Sequence, residues 1–420
     1  MDFSPFSVAA LRAAPQTLWI GQYKLEYQAF SQPQNRHQPA VIFLGGAFQS
    51  FGSFRHEVER VLSTHPVILL DLPSQGSNRQ LAPELSLADY ADLLHAFVQK
   101  QQLEQVILLG ISYGSAMASI YASQHPQQVD KLLLSGITCF RRHSLITLLE
   151  DSLALLQQGE MDAFATTAVC NLINHSRLEQ TEVSPTYRKL LYRQIARLDN
   201  NERARYAQNT QRLLDFTGFD QFPTVPTLVA TGEFDNFTLP SENAAFASQC
   251  AQGQFAVIHN ADHLAQFERR EPACNLFHRF LCGESIDGID GTSLYSARQF
   301  ASGNRRLQGR ERPLEQPYTL IDEASGKTHT VRISNINFAG CVIQQLQPDL
   351  ALNEHCQHLY LQLPEAGGCF HIRILERERQ QLRCLIIQRN LKQADQLRHY
   401  LRHHVPMIRQ ESPALDSQLA

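Results

Sequence analysis

The sequence predicts two domains of different class: a three-layer α/β domain on a buried parallel sheet, then a small antiparallel β domain. Three observations predict this. Short, continuous apolar runs alternate with helical stretches through the first 282 residues. From Tyr318 to Gln388, β-type runs recur roughly every ten residues with turn residues between them. Between the two parts lies Gly283 to Asn304, rich in Gly, Ser and Asp, a composition suited to a linker.

In the first part the runs Val41–Leu44, Val67–Leu70, Val106–Leu109, Lys131–Leu134 and Thr227–Ala230 are unalternated and bounded by Gly, Pro or Asp. Such runs read as strands covered on both faces. Helical stretches such as Leu87–Lys100 and Ser115–Ser123 separate them, which implies right-handed βαβ units. No strand is expected between about 141 and 216, where LITLLEDSLALLQQ and YRKLLYRQIARL carry apolar residues at helical spacing. This is read as a helical cap, a candidate lid over the sheet edge where ligands bind in open α/β sheets. In the second part the runs Tyr318–Ile321, Thr328–Ile333, Gly340–Gln344, Leu359–Leu363, Phe370–Leu375 and Cys384–Gln388 suit a small barrel. A helix from about Leu391 to His403 closes it, and 406–420 reads as a flexible tail. The expected division is 1–282, a linker at 283–304, and a barrel domain at 305–405.

Composition narrows the function. The 420 residues are 43% hydrophobic and 19% charged, with a net charge of −4. The chain is too apolar for disorder, and the negative balance argues against binding a nucleic acid polymer. No apolar run approaches the roughly 18 residues a membrane-spanning helix needs. Asp2 and the lack of a basic N-terminal region argue against a secretory signal, so a cytoplasmic location is expected. The nine cysteines, from Cys139 to Cys384, form no CxxC pair, and the 17 histidines form no HExxH. Reduced thiols, no metal and no cofactor for catalysis are therefore expected. Charge shifts across the linker, with 21 basic against 26 acidic residues up to Cys282 and 16 against 15 beyond. Fourteen of those 16 are Arg, the side chain suited to planar recognition of phosphate or guanine.

The chemistry is signalled at Gly110-Ile111-Ser112-Tyr113-Gly114. This G-x-S-x-G directly follows a buried strand and precedes a helix, the setting in which the motif lifts a serine hydroxyl above a sheet. A serine nucleophile needs a base, and the base needs an acid to orient it. His263, in the loop after FAVIH, is the candidate base. Asp235, in TGEFD after TLVA, is the candidate acid, with Glu233 and Asp262 as competitors. Two backbone amides are expected to form the oxyanion hole: Tyr113, after the nucleophile, and Ala47, in the Gly-Gly loop after the first buried strand.

These residues carry a resemblance. From about Leu18 to Cys282 the chain resembles the α/β-hydrolase family, through DLPSQGSNR at Asp71, GISYG at Ser112, TGEFD at Asp235 and NADH at His263. Within it, FLGGAFQSFGSF, LLDLPSQGSNRQ, TGEFDNFTLPSENAAF and NADHLAQFE are similar to the RhlA-type 3-hydroxyacyl transferases, which make a biosurfactant lipid precursor, and their transacylase relatives. The resemblance implies an acyltransferase or thioesterase acting on 3-hydroxyacyl thioesters carried by acyl carrier protein or CoA. The first glycine of the motif, Gly110, is present here where members of that branch can lack it, which keeps hydrolysis open. A small-ester carboxylesterase using the same three residues is the alternative enzyme. An apolar acyl pocket is expected beneath the lid.

In the second part, Arg306 and Arg310 form RxxxR, followed by Asn335, Asn337 and Gly340 in NINFAG. This resembles the PilZ domain, a small barrel that binds cyclic di-GMP, with Asn337 standing where the family has Ser. The resemblance implies Arg306 and Arg310 on guanine and phosphate, with Asn335, Asn337 and Gly340 completing the contact. Cyclic di-GMP is then an allosteric ligand, or, in the reading farthest from catalysis, the protein is chiefly its receptor.

Overall fold

The computed structural model describes residues 1–138, 141–303, 316–345, 358–378 and 381–404. They fall into two compact units. The first comprises 1–142 and 172–304, and the second 143–171 with the residues from 305 onward.

The first unit is built on a nine-stranded sheet. Its strands in chain order are β1 Gln16–Ile20, β2 Tyr23–Phe30, β3 Ala40–Leu44, β4 Val67–Asp71, β5 Val106–Ile111, β6 Val129–Ser135, β7 Pro226–Gly232, β8 Gln252–Ile258 and β9 Thr292–Tyr295. Their spatial order is β1-β2-β4-β3-β5-β6-β7-β8-β9. From β4 to β8 neighbours run parallel, and antiparallel strands flank them on both sides. The continuous apolar runs are explained by what each face meets. Ile42, Leu44, Ile68, Leu70 and Leu108 join one core. Val41, Phe43, Val67, Leu69 and Ile107 join the other, on the opposite face. A strand buried on both faces has no polar side to alternate with.

Residues 283–304 are not a bare linker. Thr292–Tyr295 pairs with β8 as the sheet's edge strand, and the helix Ala297–Ser302 follows. Phe300 anchors that helix, with its ring 4.9 Å from Phe255 and 5.1 Å from Tyr295. The helical insertion contains His143–Gln158, Met161–Leu172, Pro185–Ala196 and Asn200–Asp215. The sequence assigned all of it to the first domain, whereas the structure divides it. Residues 143–171 belong to the second unit, and the later two helices to the first.

The second unit is a closed antiparallel barrel of β10 Tyr318–Asp322, β11 Thr328–Ile336, β12 Gly340–Gln345, β13 His358–Leu363, β14 Gly368–Glu378 and β15 Gln381–Ile387, ordered β10-β11-β12-β15-β14-β13. Leu320, Ile343, Leu361, Ile372 and Cys384 fill it, with Leu397 and Tyr400 of the helix Leu391–His404. Cys170 joins that core, and Thr167 Oγ1 donates to the Gln388 carbonyl at 2.8 Å. The tail 406–420 lies outside the described residues, among which no helix is long and apolar enough to cross a membrane. Their cysteines are free thiols.

Candidate active site

The turn from β5 into the helix Tyr113–Gln124 holds Ser112 at φ 50° and ψ −118°, a left-handed conformation costly for a residue with a Cβ. Its surroundings hold it there. Ser112 N donates to Ser135 O at 2.8 Å, and Ser112 O accepts from Ser115 N at 2.8 Å and Thr138 Oγ1 at 3.2 Å. Both motif glycines are required for close packing. A Cβ at Gly110 would lie 2.7 Å from Ser115 Cα, and one at Gly114 would overlap the Leu44 carbonyl.

Three chain segments meet at this turn. His263 Nε2 lies 2.9 Å from Ser112 Oγ, and His263 Nδ1 lies 2.9 Å from Asp235 Oδ2. His263 and Asp235 are buried, whereas Ser112 is partly exposed. With the Nδ1 proton donated to the Asp235 carboxylate, Nε2 presents a lone pair to the serine hydroxyl. The two competing acids are engaged elsewhere. Glu233 Oε2 accepts from Asn260 N at 3.0 Å. Asp262 accepts through Oδ2 from Asn174 N at 2.8 Å and through Oδ1 from Leu264 N at 3.2 Å. Burial pushes the Asp262 carboxyl above the ordinary range against the pull of its hydrogen bonds, and burial together with the Asp262 charge pushes Glu268 well above it.

Two supporting residues carry no motif. Thr238 gives Asp235 two hydrogen bonds, Oγ1 to Oδ2 at 2.6 Å and N to Oδ1 at 2.8 Å. Phe237 N adds a third at 3.0 Å, and the Phe237 ring meets His263 edge-on with centroids 5.1 Å apart. Gly136 makes room for the imidazole, since a Cβ there would sit 2.9 Å from His263 Cε1. Thr238 lies three residues after Asp235, so its only sequence signal was local. Gly136 carried none.

The Gly45-Gly46 loop packs against Ser112, and a Cβ at Gly46 would be 3.0 Å from Ser112 Cβ. Gly46 N donates to Gln49 Oε1 at 2.6 Å and Phe48 N to Tyr206 Oη at 3.1 Å. Ala47 N, between them, has no acceptor among the described residues. Ala47 and Tyr113 both line a cleft of about 610 Å³. Helices Pro185–Ala196 and Asn200–Asp215 form its other side, where Tyr206 stacks on Phe48 with centroids 4.1 Å apart. The expected apolar lining is only partly present: Phe48, Leu198 and Tyr206 share the cleft with Gln75, Gln194, Glu202, Arg205 and Asn209. Arg205 Nη1 donates to Gly76 O at 2.7 Å, and Asn209 Nδ2 to Ser74 O at 2.9 Å, which ties the second of these helices to the turn after β4.

In the barrel unit, Arg306 and Arg310 lie outside the described residues. Asn335 sits at a bulge of β11, opposite Val342. Asn337 Oδ1 accepts from Ala339 N at 3.0 Å and Gly340 N at 2.8 Å, and so shapes its own turn. Gly340 has a structural reason to be glycine: a Cβ there would lie 2.6 Å from the Cys384 carbonyl of β15.

Comparison with known proteins agrees with the architecture of the first unit. The alpha/beta hydrolase fold family model matches residues 39–270, more than half of the chain. The (R)-3-hydroxydecanoyl-ACP:CoA transacylase of Pseudomonas aeruginosa is 21% identical over 271 residues, covering 61% of this chain and 85% of its own. The enzyme of the same name from Pseudomonas putida is 22% identical over 272 residues, covering 63% and 88%. Among solved structures, MGS-M2, an alpha/beta hydrolase from a Medee basin deep-sea metagenome library, superposes with a TM-score of 0.55 at 15% identity, covering 64% of this chain and 98% of its own. The protein belongs to the α/β-hydrolase fold family and is an enzyme of that class.

Proposed function

We propose that the protein is a serine acyltransferase that moves 3-hydroxyacyl groups from thioesters of acyl carrier protein or CoA, in the cytoplasm where those carriers occur. The observation that carries the proposal is the continuous chain from Ser112 Oγ through His263 to Asp235, with both links at 2.9 Å. Similarity to the two transacylases supports the substrate class.

In this reading His263 Nε2 takes the Ser112 proton as Oγ attacks the thioester carbonyl. The N–H groups of Ala47 and Tyr113 receive the oxyanion. The C–S bond breaks, His263 returns the proton to the departing thiolate, and the acyl group remains as an ester on Ser112. An acceptor thiol or hydroxyl then gives its proton to His263 and attacks the ester, the Oγ–acyl bond breaks, and His263 returns the proton to Ser112 Oγ. Asp235 holds the imidazole in the required tautomer throughout.

The test is incubation of the full chain with 3-hydroxydecanoyl-acyl carrier protein and CoA, with products read by mass spectrometry. The expected product is 3-hydroxydecanoyl-CoA, absent with Ser112→Ala. Free acid alone would replace the proposal with a thioesterase, and turnover confined to short esters would replace it with a carboxylesterase.

A second reading concerns regulation. The closed six-stranded barrel and its closing helix support a cyclic di-GMP site that uses Arg306 and Arg310 with Asn335 and Asn337. Calorimetry is expected to show binding by wild type that Arg306→Ala loses. No heat with wild type would end this reading.

A further inference from the structure

The barrel unit brings together donor atoms that the reaction does not use. Asp151 lies on the helix His143–Gln158, His358 opens β13, and His371 lies on the adjacent β14. One donor atom from each falls within a single group whose members are all within 4.8 Å of one another. His358 Nδ1 and His371 Nε2 are 3.1 Å apart. Glu323 Oε2 lies 3.9 Å from the first and 3.8 Å from the second, and Tyr360 Oη donates to its other oxygen at 2.8 Å.

Two features point to a ligand among these atoms. The Asp151 side chain is fully buried, and its Oδ2 has no hydrogen-bond partner among the described residues. A buried carboxylate oxygen left in that state is costly, and the two guanidinium groups that meet Asp151 reach only its other oxygen. The two imidazoles, moreover, meet nitrogen to nitrogen in a hydrogen bond of 3.1 Å, a pairing that an ion bound to both nitrogens would replace. A tetrahedral ion with nitrogen ligands at about 2.0–2.1 Å separates them by roughly 3.3 Å, close to the spacing seen.

We propose that His358 Nδ1, His371 Nε2 and Asp151 Oδ2, with Glu323 Oε2 as fourth ligand, bind one divalent ion of the zinc class. Arg389 Nη2 at 3.2 Å and Arg373 Nη1 at 3.6 Å both contact Asp151 through Oδ1, which leaves Oδ2 to the ion. Their charges oppose a cation, so binding is expected to be weaker than at a thiolate site. The ion would join the helix His143–Gln158 to strands β13 and β14 within the second unit. No motif announces it, because residues 151, 323, 358 and 371 come from four separate elements.

The test uses the full chain, stripped with a chelator and titrated with Zn²⁺ in a calorimeter, with Co²⁺ absorption as a second readout of coordination. One equivalent is expected, with the intense visible bands of tetrahedral Co²⁺. His358→Ala, at a half-buried position, and Asp151→Asn should each weaken binding at least tenfold while the circular dichroism spectrum is unchanged. The His399 and His403 rings, 4.5 Å apart on the helix Leu391–His404, offer an adventitious site for comparison. Absence of binding in wild type would overturn the proposal. So would binding that survives His358→Ala but is lost in His399→Ala.

Discussion

Ser112 carries a strained backbone because a relaxed one would lay its hydroxyl into the turn rather than toward His263. The cost is met by the fit of Gly110 and Gly114 against neighbouring backbone. In the proposed mechanism, the residue with the sharpest consequence after Ser112 is Asp235, the proposed orienting acid. Asp235→Asn should lower kcat by about 10³- to 10⁴-fold, as expected when a triad acid no longer fixes the tautomer. Asp262→Asn should stay within a few-fold of wild type, because that carboxyl faces Asn174 and Leu264. A reversed order in steady-state kinetics would contradict the assignment. Chain order and strand-end placement made Ser112, His263 and Asp235 legible in the sequence. Adjacency to His263 already counted against Asp262 in the sequence, and what was not legible is the partner that holds it, Asn174, 88 residues away. In the proposed mechanism Thr238 positions Asp235 through its two hydrogen bonds. Thr238→Val removes one hydrogen bond to a charged oxygen, worth roughly 1.5–3 kcal/mol. It should depress kcat more than it changes KM and shift the pH profile of kcat/KM, a readout that a purely structural role would leave in place.

At the scale of elements, the buried strands were readable because each has apolar neighbours on both faces, so no alternation obscures the run. β9 was not readable. It is four residues long, half-exposed and paired on one side only, and Gly, Ser and Asp around it resemble a connection. Phe300 decides between the two descriptions. Its ring is buried against Phe255 and Tyr295, so Phe300→Ala should cost about 3 kcal/mol of unfolding free energy. A free linker would show no change in chemical denaturation. The insertion was legible as helices from its 3.6-residue spacing. Which surface covers each helix was not, since an amphipathic stripe does not name its partner. Residues 143–171 accordingly belong with the barrel, although their sequence neighbours belong with the sheet.

For the whole molecule, the balance of buried charge sets the pH response. Burial raises the Glu57 carboxyl from 4.5 to about 7, and its Oε2 has no hydrogen-bond partner. Burial likewise raises Asp71 from 3.8 to about 7, against the pull of Ser77. A carboxyl whose folded-state pKa is raised favours folding below its unfolded pKa, and that contribution is lost as pH climbs through the folded value. Stability should therefore fall between about pH 4 and pH 7. Glu57→Gln, which stays neutral, should flatten that fall in thermal unfolding measured across this range. An unchanged slope would mean that Glu57 is ionised in the fold.

The central claim is that Ser112 carries the acyl group. Intact-protein mass spectrometry after brief mixing with 3-hydroxydecanoyl-CoA tests it most directly. The account predicts a mass increase equal to one 3-hydroxydecanoyl group, mapped to the peptide containing Ser112, absent in Ser112→Ala and lost when acceptor thiol is added. Turnover with no adduct under any quench condition, or an adduct that persists in Ser112→Ala, would contradict it.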